Sequence, residues 1–167
     1  MINTIDNFLP YFEYLKIEEC INDMHFPWCF SNTIVPEDGV NQDYKYQFCH
    51  MLFTMNKVVS TYWELFEPVL ETLQAGAVHR AKLNLLPQTP TNIRGGFHTD
   101  TTMNCFTSVM YFDDSNGYTE FKDTGEKVYS KRNRIVTFHS NLEHTGVSQT
   151  DAQKRIVLNL NWFKDSV

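Results

Sequence analysis

In the stretch GGFHTDT, residues 95 to 101, an imidazole and a carboxylate stand one residue apart after a glycine pair. Residues i and i+2 of a strand point to one face, so His98 and Asp100 can bind one ion together. A neutral imidazole with a carboxylate suits Fe(II), Mn(II) or Zn(II), and a second histidine would complete a facial set with open positions. His-x-Asp is common by itself, so its meaning depends on what lies downstream. Of the six histidines, His25, His50 and His79 have no carboxylate neighbour at ligand spacing and read as structural. His139, in RIVTFHSN, and His144, in NLEHTGVS, are the two candidates for the third ligand.

Eleven residues after His144 comes Arg155, in QKRIVLNLNW. An arginine on a core-directed strand needs a carboxylate partner, because an unpaired buried guanidinium is costly. A dicarboxylate cosubstrate fits that need. Its distal carboxylate takes the guanidinium fork while its other end chelates the metal.

These residues require a rigid frame, and the chain supplies the signals for one. PYFEYLKIEECINDM, residues 10 to 24, spaces Tyr11, Tyr14, Leu15, Cys20 and Ile21 along one stripe and predicts a helix opened by Pro10. HFPWCFSNTI and YQFCHMLFT read as aromatic-rich strands. VSTYWELFEPVLETLQ, residues 59 to 74, reads as a helix that Pro68 kinks or splits. From residue 77 the texture changes to AVHRAKLNLL, MNCFTSVMYF, YTEF, RIVTFH, HTGVSQ and RIVLNLNWF, short strands divided by polar turns. That rhythm predicts an antiparallel sandwich or barrel with the N-terminal helices covering one sheet. PQTPTNIRGG, residues 87 to 96, is the longest loop and reads as a flap or a long connection before His98. Asn84, Arg94 and Asn159 are candidates to face a substrate, Asn159 because it shares the strand parity of Arg155. Trp162 has the opposite parity and belongs to the core.

Composition narrows the partners. The 167 residues suit one domain, with residues 1–76 supporting a β core over 77–163. A net charge of −6 disfavours broad nucleic-acid binding, and the one basic run, Lys131-Arg132-Asn133-Arg134, reads as a solvated turn. Four scattered cysteines, Cys20, Cys29, Cys49 and Cys105, form no Cys-x-x-Cys pair and fit a reducing compartment. No signal peptide or membrane span is visible, so a cytoplasmic protein is expected, in the host cytoplasm if a phage encodes it.

The segments FHTD (97–100), TSVMYFDDSNGYTEF (107–121), EHTG (143–146) and KRIVLNLNW (154–162) together resemble the 2-oxoglutarate/Fe(II)-dependent dioxygenases, in their prolyl 4-hydroxylase-like branch. The likeness covers most of residues 78 to 163, and small stand-alone members that resemble this chain occur in bacteria and their phages. It implies a double-stranded β-helix core of the jelly-roll or cupin type. It also implies His98, Asp100 and His144 as iron ligands and Arg155 as partner of the 2-oxoglutarate C5 carboxylate. Tyr111 matches the position whose phenol supports that carboxylate, and Thr107 would line the pocket. Two departures stand out. The family's paired glycine before its phenylalanine is reduced to Gly117 in NGYTEF, and a tyrosine frequent on the strand before the flap is replaced in the region of Asn84 and Leu86.

The activity so implied uses Fe(II), 2-oxoglutarate and O2. Oxidative decarboxylation to succinate would be coupled to hydroxylation of a C–H bond in a small molecule or peptide, with a prolyl residue one candidate. Two rivals differ in class: a cupin-like metal-binding barrel without oxygenase activity, and an oxygenase of the same chemistry directed at nucleotides or nucleic acid. The first would not need Arg155. The second would be expected to show a basic, aromatic-lined groove. The sequence leaves the oligomeric state open.

Overall fold

The computed structural model describes residues 1–32 and 46–165. Two antiparallel sheets face each other. The larger has eight strands in the order β1-β9-β6-β11-β5-β3-β2, with β4 paired to β3, and the smaller runs β10-β7-β8. In chain order the large sheet contains β1 (Asn3–Asp6), β2 (Cys29–Ser31), β3 (Gln47–Thr54), β4 (Lys57–Val58), β5 (Ala75–Pro87), β6 (Phe106–Tyr111), β9 (Arg134–His139) and β11 (Lys154–Lys164). The small sheet contains β7 (Tyr118–Phe121), β8 (Lys127–Tyr129) and β10 (His144–Val147). The antiparallel, mainly β layout is what the strand rhythm predicts, and the double-stranded β-helix is the architecture that the family resemblance implies.

Strand β11 sits at the centre, paired with β5 on one side and β6 on the other. Its alternation sorts the molecule into two compartments. Ile156, Leu158, Leu160 and Trp162 face the helices and join a core with Leu83, Met110 and Ile135. Arg155, Val157, Asn159 and Asn161 face the other way, towards the small sheet and the space beside it. There Val109, Tyr111, Val136, Phe138 and Val157 pack on Phe121 and Val128 of the small sheet. The open remainder of this inner face, on β5, β3 and β2, forms one wall of a cavity.

Helix α1 (Tyr11–Asn22) follows Pro10, whose carbonyl accepts from the amides of Glu13 and Tyr14 at 3.0 Å each. Tyr14, Ile17 and Ile21 lie on one face and are buried against the sheet. Tyr14 and Ile21 of the expected stripe are thus buried, Ile17 joins them, and Tyr11 at the start of the helix is exposed. The second helical segment is split as Pro68 requires: a 3-10 turn at Trp63–Phe66 leads into α2 (Glu67–Leu73), with the proline in its first turn. The first aromatic-rich strand is observed over Cys29–Ser31, and the expectation for residues 33 and 34 lies outside the described residues.

Strand β1 had no sequence signal that separated it from a disordered start. It pairs with β9 and is held by the turn that precedes β9. Asn133, at φ 56°, accepts from the Leu9 amide through Oδ1 at 2.9 Å and donates to the Leu9 carbonyl at 2.8 Å. The basic run is more than a solvated turn. Lys131 and Arg134 both pair with Asp6, and Arg132 pairs with Glu18 on α1. Among the described residues no helix is long and apolar enough to cross a membrane.

Candidate metal centre

His98, Asp100 and His144 converge at one end of the inner face. One ligand atom from each lies within 4.8 Å of the others. The two histidines arrive from different elements, and a two-way backbone bridge sets their spacing. The His98 amide donates to the His144 carbonyl at 3.0 Å, and the His144 amide donates to the His98 carbonyl at 3.0 Å. Directly opposed residues of an antiparallel pair project to the same side, and the two rings stand 4.8 Å apart between centroids. His139 is turned elsewhere: its ring nitrogens contact Asn141 and Asn104 at 2.8 and 2.6 Å. The geometry therefore groups His144, and not His139, with the His-x-Asp pair.

Both histidines engage Nδ1 with a backbone carbonyl, Gly96 for His98 and Leu142 for His144, each at 3.0 Å. That contact makes Nδ1 the protonated nitrogen and leaves the Nε2 lone pair available to a metal. The two Nε2 atoms lie 3.8 and 3.7 Å from the Asp100 carboxylate. Burial pushes the His144 imidazole below its usual value, favouring the neutral, ligating form.

Asp100 is fixed by three donors. Arg80 Nη2 reaches Oδ1 at 3.1 Å, while Asn159 Nδ2 and Asn161 Nδ2 reach Oδ2 at 3.0 and 3.3 Å. Burial would raise its carboxyl, but His144, Arg80 and Asn159 outweigh burial and hold it below the ordinary range. Asn161 is fully buried and also donates to Thr107 Oγ1 at 2.9 Å. Its amide cannot be reversed without aiming a carbonyl oxygen at the carboxylate, so Asp100 orients it. The donor set suits a divalent ion with open positions, as two imidazoles and one carboxylate do.

The cavity beside these residues has a volume of about 450 Å³. Arg155 stands on its wall, 2% exposed, with Nε donating to Ser130 Oγ at 2.6 Å and its guanidinium 5.5 Å over the Tyr111 ring. No carboxylate pairs with Arg155 among the described residues, and burial pushes its pKa down. Its fork therefore suits an incoming anion.

The other expected site residues are distributed unevenly. Asn84 and Asn159 line the cavity. The Asn159 amide, however, is engaged with both Asp100 and Arg80, the latter at 3.3 Å. Tyr111 is fully buried behind Arg155, and its hydroxyl donates to Thr119 Oγ1 at 2.8 Å, so it borders the anion site through Arg155 and Thr119. Thr107 does not line the cavity: it is fully buried and Asn161 stands between it and Asp100. Arg94 does not line it either, because its guanidinium lies over the Phe97 ring, 5.2 Å from the centroid, on the exposed side of the loop. That loop is tied down, with Gly95 bonded to Gly146, Ile93 to Ser148 and Thr89 to Gln149.

Sequence reasoning missed Arg80, Lys82, Asn161 and Ser130. The first three carried a usable signal. In RAKLN the two cations alternate with Ala81 and Leu83, which are core residues, and Asn161 has the parity of Arg155 and Asn159. Ser130 lies in the loop after β8 and had none.

No protein-family model matches the sequence, and no curated protein matches it. Solved structures do. An oxidoreductase of the 2OG-Fe(II) oxygenase family from Burkholderia pseudomallei superposes with a TM-score of 0.74 at 11% identity, over 99% of this chain and 86% of that one. A prolyl hydroxylase from Trichoplax adhaerens, in complex with a hypoxia inducible factor peptide fragment, gives 0.69 at 11%, over 96% and 83%. The viral collagen prolyl hydroxylase of Paramecium bursaria Chlorella virus-1, in its 2OG complex, gives 0.61 at 12%, over 99% and 96%. By its architecture, this chain shares the fold of the 2OG-Fe(II) oxygenases and prolyl hydroxylases.

Proposed function

We propose that the protein is an Fe(II)- and 2-oxoglutarate-dependent dioxygenase that hydroxylates a C–H bond. The observation that carries this reading is a pair of sites on one cavity: a grouped His98, Asp100 and His144, and a buried Arg155 that has no carboxylate partner among the described residues. A simple metal-binding barrel has use for the first and none for the second. In balance, one C–H substrate, 2-oxoglutarate and O2 give the alcohol, succinate and CO2, and the bound iron supplies this oxidative chemistry.

The chain's own residues supply position and charge. His98 and His144 offer Nε2 because their Nδ1–H groups are committed to Gly96 and Leu142. Asp100 offers its carboxylate in an orientation set by Arg80, Asn159 and Asn161. Arg155 receives the distal carboxylate of 2-oxoglutarate, with Ser130 and the Tyr111 ring fixing the plane of its fork. Val109, Val157 and Leu86 give the cavity an apolar lining between these two ends. Prolyl hydroxylases among the structural neighbours support a prolyl group as one candidate substrate. Four free cysteines are in keeping with the reducing cytoplasm as the working compartment.

The test is anaerobic visible absorbance of the purified protein titrated with Fe(II) and then 2-oxoglutarate. A weak charge-transfer band that needs both additions is expected in the wild type. It should be lost in R155A and recovered at higher 2-oxoglutarate in R155K, which restores a charge without the fork. Iron binding without any band would overturn the oxygenase reading in favour of a metal-binding barrel.

A further inference from the structure

The charges on the cavity wall do not balance. Arg80, Lys82 and Arg155 line it, and Asp100 is the one acidic residue among the described residues that does. Two of the cations have an assigned partner. Arg80 is bound to Asp100, and Arg155 is the anchor for 2-oxoglutarate in the proposed reading. A divalent metal and the dianionic cosubstrate cancel each other in net charge, so loading both leaves the wall's positive excess in place. Lys82 is the cation of the three without an assigned partner.

Its position makes that excess useful. On β5 it lies between Met51 of β3 and Asn159 of β11, and Asn159 holds Asp100 Oδ2. Lys82 is thus one strand removed from a residue that touches the candidate metal ligand, on the open part of the inner face. It is half-buried, and among the described residues it makes no hydrogen bond or ion pair, with the Cys49 thiol and the Asp100 carboxylate acting on it only through their charge. Burial pushes its ammonium below the usual value. A desolvated ammonium without a partner is unfavourable, and an anion arriving beside it removes that penalty. Arg80 adds a second positive field from the neighbouring inner position, and its buried Nε has no hydrogen-bond partner among the described residues. The protein as a whole carries a net charge of −6, so a cation cluster in its cavity is a local feature and not a spill-over of surface charge.

We propose that the primary substrate carries an anionic group, a carboxylate or a phosphate, that docks on Lys82 beside Arg80 while the reacting C–H bond faces the metal. This inference rests on the oxygenase reading for the assignment of Arg155. The subsite is separate from the cosubstrate anchor: Arg155 is on β11 opposite Leu86, whereas Lys82 is opposite Asn159, four residues along the same strand. A substrate held at Lys82 approaches Asp100 from the side that Asn159 occupies.

Protein carrying 13C-labelled lysine, loaded with Zn(II) and 2-oxoglutarate, is titrated with acetate, inorganic phosphate and neutral acetamide, and followed by NMR. Loss of one signal in K82R identifies Lys82. Its signal should shift saturably with acetate or phosphate, roughly tenfold or more tightly than those of exposed lysines, the scale of a charge-assisted hydrogen bond. It should stay still with acetamide. Whichever of acetate and phosphate binds more tightly identifies the anionic group. A Lys82 signal that follows the exposed lysines with every probe would overturn the inference. The Fe(II)–2-oxoglutarate band is recorded on the same preparation and on K82Q, which should still form it. A band with an unresponsive Lys82 defeats this inference alone, while absence of the band in wild type defeats the oxygenase reading.

Discussion

One residue that orients the candidate metal centre would not itself touch the metal. Asn161 is fully buried, and its Nδ2 is shared between Asp100 and Thr107. Groups that orient a ligating carboxylate commonly contribute about 10–100-fold to metal affinity. N161A should therefore weaken Fe(II) or Mn(II) binding by that scale, measured by anaerobic titration, while far-UV circular dichroism stays native. A purely structural asparagine would cost stability without a change in metal affinity, because no ligand would lose its orientation. The His98-x-Asp100 pair was legible in the sequence as an imidazole and a carboxylate at ligand spacing, but the expected strand is absent: His98 makes an isolated bridge to His144 and Asp100 lies in a bend. Arg155 was legible because a core-directed guanidinium needs a reason. Thr107 was misread as a lining residue: strand parity gives the face a side chain uses, but not what stands in front of it, and Asn161 stands there. Arg94 failed for another reason, since a loop residue has no parity and the Phe97 ring captured its guanidinium.

At the scale of elements, the small sheet matters because it brings a backbone against the cosubstrate anchor. Gly117 precedes β7, and a Cβ placed there would sit 2.8 Å from Arg155 Cδ, 3.1 Å from the Val147 carbonyl and 3.2 Å from Gln149 Cβ. Space, and not backbone freedom, requires glycine at this position. The single glycine left in NGYTEF is thus the one over which Arg155 passes. G117A must push the arginine from its bond to Ser130 or shift the β7–β10 pair, at a cost of about 1–3 kcal/mol. The expected signature is weaker 2-oxoglutarate binding, seen as a rightward shift of the absorbance titration, with iron affinity little changed. Equal weakening of both would mean that the metal end moves with the turn. Most elements were legible because their apolar spacing is strong. Strand β11 is the clearest, since RIVLNLNWF is a β-branched and apolar run in which Asn159 and Asn161 alternate with leucine up to the irregularity at Asn161/Trp162. Strands β1, β4 and β8 were not, because each is two to four residues long and mostly exposed. Pairing partners define such strands, and pairing is not written in local composition.

The whole molecule is closed by contacts between its N-terminal segment and the turn before β9, far along the chain from one another. Asp6 is the centre of that clasp: Arg134 Nε reaches its Oδ1 at 2.6 Å, and Lys131 Nζ reaches Oδ2 at 2.8 Å. Hydrogen bonds from Arg134 and then Lys131 hold the Asp6 carboxyl well below the usual carboxylate range. A carboxyl depressed in the folded state contributes stability above its unfolded pKa of about 3.9, and that contribution is lost as pH falls towards the folded value. The pair is partly exposed, with 36% of the Asp6 side chain accessible, so solvent screening limits its contribution to about 0.5–1 kcal/mol. For a chain of this length that corresponds to about 1–4 °C in Tm. D6N should melt lower than wild type by this margin at pH 7, and the two should converge in acid as the wild-type carboxyl protonates. High salt should narrow the gap at pH 7, because the charges are near the surface. The candidate metal ligands are on the opposite side of β6 and β11 from α1, whereas β1 lies at the edge of the sheet beyond β9. The Fe(II)–2-oxoglutarate band of D6N should therefore match wild type at temperatures where both are folded. A Tm gap that persists unchanged into acid would assign the stabilisation to strand pairing and to Asn133, and not to the charge on Asp6.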